Sequence, residues 1–202
     1  AGYTRPLVLT SQDTLVLLDS SWHTNFGRLV SRLKGQGVVI VAVLYDLIPL
    51  THPQYCDRNL CKVFERWFAW VIQASDGFLT ISQTARDEIV QAVSDRLGES
   101  SAKQRWYNHF YLASELDKKS LHGRVRGKIQ RIFSQDSAVY LLVSTLEPRK
   151  NHAYALDAFE KLWAQDSKAT LFFIGRIGWK CDRLLDRIKN HPALNQKLFF
   201  FY

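Results

Sequence analysis

Residues 138–175, AVYLLVSTLEPRKNHAYALDAFEKLWAQDSKATLFFIG, contain the pattern that decides the fold. A short apolar run, Ala138–Ser144, is followed by a polar turn and then by a stretch whose apolar residues recur every three or four positions. A second apolar run, Ala169–Gly175, comes next. Short apolar strands that alternate with helices are typical of a parallel sheet with helical crossovers. The stretch therefore predicts a strand-helix-strand unit of an α/β fold.

The same alternation extends through most of the chain and predicts two such units. Further apolar runs predict strands at Thr14–Asp19, Val38–Tyr45, Gly77–Ile81, Trp106–Leu112 and Lys197–Tyr202. Between residues 99 and 135 the pattern loosens, and there we expect a domain boundary and a helix around Leu121–Phe133. We therefore expect two Rossmann-like domains with parallel sheets, residues 1–115 and residues 116–202. Because the sequence contains no Met and stops directly after an apolar run, we expect both domains to be incomplete.

The composition of the 202-residue chain is that of a globular protein. With 47% hydrophobic and 23% charged residues, it is neither a disordered nor a repetitive sequence. Its apolar runs are much shorter than the ~20 residues of a membrane span. Three Cys at irregular spacing predict neither a disulfide framework nor a zinc site, and they favour a reducing, cytoplasmic location. The net charge of +8 favours nucleotides, phosphorylated substrates or an anionic membrane face as partners.

Two adjacent cations, Arg149 and Lys150, lie in the turn between a predicted strand and a predicted helix. In open α/β sheets, ligands bind at the carboxyl ends of the strands, where the N-terminus of a helix attracts anions. We expect the preceding strand to be buried and Asn151 to cap the helix, so that the turn forms a phosphate site. The alternative is that both cations are solvated surface residues, as an isolated Arg-Lys pair commonly is. Their position between strand and helix favours the phosphate site.

Four stretches, in the same order along the chain, resemble retaining glycosyltransferases of the GT-B fold, especially the bacterial mannosyltransferase-like members of the large group-one family. They are Tyr45–Pro53, Phe78–Ser82, Leu142–Asp157 and Phe172–Trp179. The resemblance implies transfer of a sugar, above all mannose from GDP-mannose, with retention of configuration. It implies a polysaccharide or lipid-linked glycan as acceptor, as in lipopolysaccharide synthesis. It implies no cofactor other than the nucleotide-sugar donor and no metal.

The resemblance also implies roles for individual residues. Arg149 and Lys150 would bind the donor diphosphate and neutralise the charge of the leaving nucleotide. Gly175 and Gly178 would let the backbone approach the nucleotide, although a plain turn at a strand end explains each glycine equally well. Asp46, which follows a predicted strand, would face the interdomain cleft as the catalytic carboxylate and orient an acceptor hydroxyl.

Tyr45 and His52 are candidates for binding the acceptor or a sugar. Tyr45 stands where many members of the family have a His that contacts the donor sugar. For His52 the alternative is a hydrogen-bonded turn residue beside Pro53. The family also has a pair of glutamates eight positions apart in its carboxyl-terminal domain, and this pair would fall beyond Tyr202. The chain by itself is therefore expected to be inactive.

Two further interpretations follow from charge alone. A non-catalytic nucleotide- or polyanion-binding α/β module would use the net charge of +8, whereas a glycosyltransferase predicts no nucleic-acid partner. Basic residues of the first half would allow peripheral contact with the inner face of a membrane, but ordinary charged helix surfaces explain them better. These residues are Arg58, Lys62, Arg66 and Arg86.

Overall fold

A computed structural model describes residues 8–18, 21–113, 127–133 and 137–202 of the chain. Contacts divide the chain into two compact units, Ala1–Glu115 and Leu116–Tyr202. Each unit has its own parallel sheet, and the two sheets share no strand. This architecture confirms the α/β fold with two Rossmann-like parallel sheets, and it is compatible with the GT-B type.

The sheet of the first unit has four parallel strands in the order β1-β2-β3-β4. The strands are β1 Thr14–Leu17, β2 Val39–Leu44, β3 Gly77–Thr80 and β4 Trp106–His109. The helices are α1 Gly27–Gly35, α2 Ile48–Thr51, α3 Arg58–Ala74, α4 Gln83–Leu97 and α5 Glu99–Lys103, with short 3-10 helices at Ser21–His23 and Pro53–Tyr55. Each pair of neighbouring strands is joined by a helical crossover, as parallel pairing requires.

Short polar side chains fix where the two long helices of this unit begin. The Asp57 carboxylate accepts hydrogen bonds from the backbone N–H groups of Asn59 and Leu60, which begins α3. The Ser82 hydroxyl accepts one from Ala85 N at 3.1 Å and begins α4, as expected from the sequence. These caps satisfy N–H groups that have no partner within the helix. They therefore fix the residues at which α3 and α4 begin.

The core of the first unit lies between the sheet and its helices. Alternate residues of β2 face this layer, because successive side chains of a strand point to opposite faces. These residues are Ile40, Ala42 and Leu44, and all three are buried. They belong to the same buried cluster as Phe68 and Val71 of α3. Burial of this apolar surface is the main stabilising contribution to such a layer.

The sheet of the second unit has three parallel strands in the order β5-β6-β7. The elements are α6 Gly127–Phe133, β5 Val139–Val143, α7 His152–Ala164, β6 Thr170–Ile174, α8 Asp182–Lys189 and β7 Leu198–Phe201, with a 3-10 helix at Pro148–Lys150. One face of the sheet packs Phe173 in a cluster with Leu156 of α7 and Ile188 of α8. The other face packs Phe172 against Ile132 of α6. Both faces of β6 are therefore buried.

The strands lie where the apolar runs predict them, each slightly shorter than its run. Two local predictions are wrong. Strand β5 is an exposed edge, with Val143 68% accessible, whereas β7, the other edge of the same described sheet, buries Leu198 and Phe199. Asn151 makes no side-chain cap for α7, since its left-handed backbone (φ 55°) closes the preceding 3-10 turn instead. Of the helix expected around Leu121–Phe133, residues 127–133 are helical and residues 121–126 lie outside the described part of the chain.

The pairing of β5 with β6 continues beyond the strands into the turns that follow them. Ser144 N donates to Ile174 O (2.9 Å), Leu146 N to Arg176 O (2.8 Å), and Gly178 N to Leu146 O (2.9 Å). Gly175 has a φ of 150°, and a Cβ at this position would collide with the backbone carbonyl of Ser144. At Gly178 a Cβ would lie 2.8 Å from Leu146 O. The two turns can therefore lie this close because both positions lack a side chain.

Substitution Gly175→Ala tests this constraint. We expect the free energy of unfolding, measured by urea titration, to fall by about 2–4 kcal/mol, because both the backbone angle and the Ser144 backbone resist a methyl group. Gly127→Ala is the matched control in the same unit, since a Cβ there meets no atom within 4 Å. Equal stability of the two variants would show that the turns are not locked together.

Candidate functional site

The turn between β5 and α7 carries the two predicted phosphate-binding cations. It is a 3-10 turn, in which Lys150 N donates to Glu147 O at 3.0 Å and Asn151 N to Pro148 O at 3.0 Å. The helix α7 begins at His152. Arg149 and Lys150 thus lie at the carboxyl end of a parallel strand and directly before the N-terminus of a 13-residue helix. This is the position expected of an anion site in an α/β sheet.

A buried carboxylate holds one of the two cations. Glu147 is 2% exposed, and its Oε1 lies 2.6 Å from Nε of Arg149, whose side chain is about one third exposed. A carboxylate at this depth needs a cationic or hydrogen-bonding partner, because burying an unpaired charge is costly. The contact is electrostatic, since Oε1 makes no hydrogen bond with a described residue, and it draws Arg149 toward the buried carboxylate. Lys150 is exposed and forms no ion pair with another described residue.

His152, the first residue of α7, is buried beneath this turn. Its Nε2 lies 3.4 Å from the Ser144 hydroxyl, and its ring packs edge-on against Phe173 with centroids 5.0 Å apart. The buried Nδ1 has no hydrogen-bond partner among the residues that the structure describes. Burial, and to a lesser extent the nearby charge of Lys150, lowers the pKa of His152 below its usual value. The imidazole is therefore held in its neutral form near the helix N-terminus.

A cavity of about 330 Å³ lies beside the turn, lined in part by Asn151, His152, Lys180 and Arg183. Arg187 also lines it but is paired with Asp157 (2.6 Å) and Glu160 (2.7 Å), which raise the pKa of its guanidinium. Neither Arg149 nor Lys150 belongs to this lining. The basic surface around the turn is therefore wider than the two residues that the sequence pattern indicates.

In the first unit, Tyr45 and Asp46 lie together at the carboxyl end of β2. Asp46 Oδ1 accepts a hydrogen bond from Ile48 N (3.0 Å), which fixes the orientation of the carboxylate in the turn before α2. Both residues line a cavity of about 200 Å³. His52 is not among its lining residues: its Nδ1 lies 2.9 Å from the Thr51 hydroxyl, and its ring stacks on Tyr55.

The structure thus brings the predicted residues together in two places, one in each unit. Arg149 and Lys150 share a turn that packs against the turn containing Gly175 and Gly178, whereas Tyr45 and Asp46 share a cavity. The sequence interpretation missed Glu147, although a carboxylate two positions before Arg149 indicates an ion pair. It also missed Phe64 and Trp67, which line the same cavity as Asp46. Their helical spacing indicates core packing and gives no sign of a cavity. The proposed contacts of all these residues with donor or acceptor stay predictions.

Known proteins that are similar to this chain support the resemblance to glycosyltransferases. No family model matches the chain. Three serotype-specific mannosyltransferases WbdA from Escherichia coli match 98% of it, with 26%, 26% and 25% identity. The chain is similar to glycosyltransferases. It spans about a quarter of the length of these curated relatives. These matches confirm the resemblance of the chain to mannosyltransferases.

In the part of the chain that the structure describes, no group of three His, Cys, Asp or Glu side chains is placed to hold a metal ion. None of the helices in that part has both the length and the apolar character needed to cross a bilayer.

The pH dependence of stability tests the environment of His152. Below pH ~6.5 the unfolded chain binds a proton at this residue while the folded chain does not, because the folded pKa is lowered. Stability should therefore fall as the pH is lowered through this range. We expect His152→Phe to show a smaller loss than the wild type between pH 7.5 and 5.5 in urea titrations. Lys150→Gln, which removes the lesser cause and leaves the burial, should give an intermediate slope. Identical slopes for all three proteins would contradict this account of His152.

Proposed function

We propose that this chain is part of a retaining glycosyltransferase that transfers mannose from GDP-mannose to a growing polysaccharide or lipid-linked glycan. The observation that carries the proposal is the similarity over 98% of the chain to mannosyltransferases, combined with a cationic turn at a strand end. The four sequence stretches add the donor type and the retention of configuration as implications of the resemblance.

Arg149 and Lys150 bind the donor diphosphate in this proposal. When the bond between the sugar carbon and the phosphate oxygen breaks, negative charge accumulates on the departing nucleoside diphosphate. Two cations and the N-terminal end of α7 stabilise that charge without having to move. Glu147 holds Arg149 through Nε, so that less side-chain entropy is lost on binding. Gly175 and Gly178 keep the neighbouring turn free of side chains that would obstruct a nucleotide.

Asp46 orients the acceptor in this proposal. Its Oδ1 is held by Ile48 N, so the carboxylate has a fixed direction in which to accept a hydrogen bond from an acceptor hydroxyl. Tyr45, 39% exposed, and the exposed loop residue His52 contact the acceptor or a sugar. In a front-face transfer, the acceptor oxygen bonds to the sugar carbon on the side from which the diphosphate leaves. The acceptor proton then passes to the departing phosphate oxygen.

Calorimetric titration with GDP tests the proposal on the protein that contains this chain. Charge-assisted contacts to a diphosphate contribute about 1.5–3 kcal/mol each, so we expect Arg149→Gln and Lys150→Gln each to weaken GDP binding roughly 10- to 100-fold. Arg28→Gln and Arg32→Gln, which remove the same charge from exposed positions on α1, should leave Kd unchanged. Lys150 has no ion pair with a described residue, so its variant is not expected to perturb folding.

A second titration, with duplex DNA, separates the proposal from the polyanion-binding module. A module that binds through its net charge would lose DNA affinity equally in all four variants and show a steep dependence on salt. Equal effects of the turn variants and the α1 variants on GDP binding would contradict the diphosphate site.

A further inference from the structure

The cavity at the end of β2 is preformed and has room for one ring. It has a volume of about 200 Å³, smaller than the ~300–1,000 Å³ of sites for drug-sized ligands. An apolar cavity of ~150 Å³ admits one benzene molecule. The space in this protein therefore fits one six-membered ring with small substituents.

Three aromatic side chains form rigid walls of this cavity. Trp22, Phe64 and Trp67 contact one another edge-on or tilted, with centroids 5.3–5.5 Å apart. Trp67 Nε1 donates to the Ser21 hydroxyl at 3.0 Å, and Phe64 and Trp67 are both buried. The Asp57 cap fixes the start of α3, and Phe64 and Trp67, three positions apart, project from the same face of this helix. A bound molecule would contact side chains that are already ordered, so little conformational entropy would be lost on binding.

Two adjacent residues of the lining, Tyr45 and Asp46, carry a hydroxyl and a carboxylate, beside the indole N–H groups of Trp22 and Trp67. Asp46 Oδ1 already accepts a hydrogen bond from Ile48 N. A purely hydrocarbon occupant would cover the carboxylate without giving it a hydrogen bond, which is costly. An anionic occupant would be repelled by it. The lining therefore favours a neutral ring that has an apolar face for the aromatic walls and hydroxyl groups for Asp46.

We propose that this cavity binds one pyranose ring of the acceptor glycan. A pyranose has C–H groups on its face and hydroxyls around its rim, which matches aromatic walls beside a carboxylate. The assignment of the ring to the acceptor rests on the proposed function. The fit of a pyranose rests on the size and lining of the cavity. Phe64 and Trp67 are then specificity-determining walls in addition to core residues.

Indole N–H signals in proton-nitrogen NMR spectra of the protein containing this chain provide the test. Methyl α-mannopyranoside is the probe, and cyclohexylmethanol, a hydrocarbon ring of similar size with one hydroxyl, is its counterpart. We expect millimolar methyl α-mannopyranoside to shift the signals of Trp22 and Trp67, which line the cavity, and not those of Trp106 and Trp163. Tighter binding of cyclohexylmethanol, or a pyranoside that leaves Trp22 and Trp67 unmoved, would overturn the proposal.

A cavity-filling substitution provides the matched control. Leu60→Phe adds a ring from the cavity wall and should weaken pyranoside binding at least 10-fold. Val63→Phe adds the same ring on the same helix at an exposed position outside this cavity, and should bind the pyranoside as the wild type does. Asp46→Asn keeps the Ile48 contact but loses the charge, and should weaken the pyranoside without affecting cyclohexylmethanol. If Leu60→Phe and Val63→Phe bind the pyranoside equally, the ring does not enter this cavity.

Titration of the same sample with GDP distinguishes failure of this inference from failure of the proposed function. The diphosphate site predicts a shift of Trp179, which follows Gly178 in the turn packed against residues 144–147. A GDP response without a pyranoside response would reject the pyranose site alone. A pyranoside response without a GDP response would reject the diphosphate site and leave a carbohydrate-binding cavity.

Discussion

The close backbone contact between the turn after β5 and the turn after β6 positions the cationic turn of the second unit. Three hydrogen bonds extend the pairing of the strands from Ser144 to Gly178, so that the chain leaving β5 cannot swing away from its neighbour. Gly175 and Gly178 permit this approach, since a Cβ at either would meet the backbone of the other turn. Glu147 is buried as a result, and its carboxylate in turn draws Arg149 toward it. The close packing of the two turns therefore explains Gly175 and Gly178 without any bound ligand.

In the first unit, a hydrogen bond within the turn after β2 fixes a polar side chain in a similar way. Asp46 follows a buried parallel strand and is fixed by a hydrogen bond to the backbone two residues later, rather than by an ion pair. The adjoining space is enclosed by aromatic side chains of α3 and by Trp22. In both units a rigid sheet carries side chains on a short turn at the carboxyl ends of its strands, where α/β sheets commonly bind ligands.

Much of this fold follows from the sequence, because apolar runs and helical spacing report directly on burial. The run Val38–Tyr45 contains β2, and Ser82 caps α4 as its residue type predicts. The exposed edge strand β5 does not follow, since its apolar run looks the same whether one or two neighbours cover it. At the two sites, the sequence alone shows that Arg149 and Asp46 follow predicted strands. The ion pair with Glu147 and the cavity beside Asp46 depend on tertiary packing, which periodicity does not encode.

A crystal structure of the protein containing this chain, with GDP bound, tests the central claim most directly. The account predicts that oxygens of the diphosphate lie within hydrogen-bonding distance, about 3 Å, of the Arg149 guanidinium and of Lys150 Nζ. It also predicts that the contact between Glu147 and Arg149 Nε persists in the complex. GDP bound with its phosphates away from both cations would contradict the account, whatever other part of the protein held them.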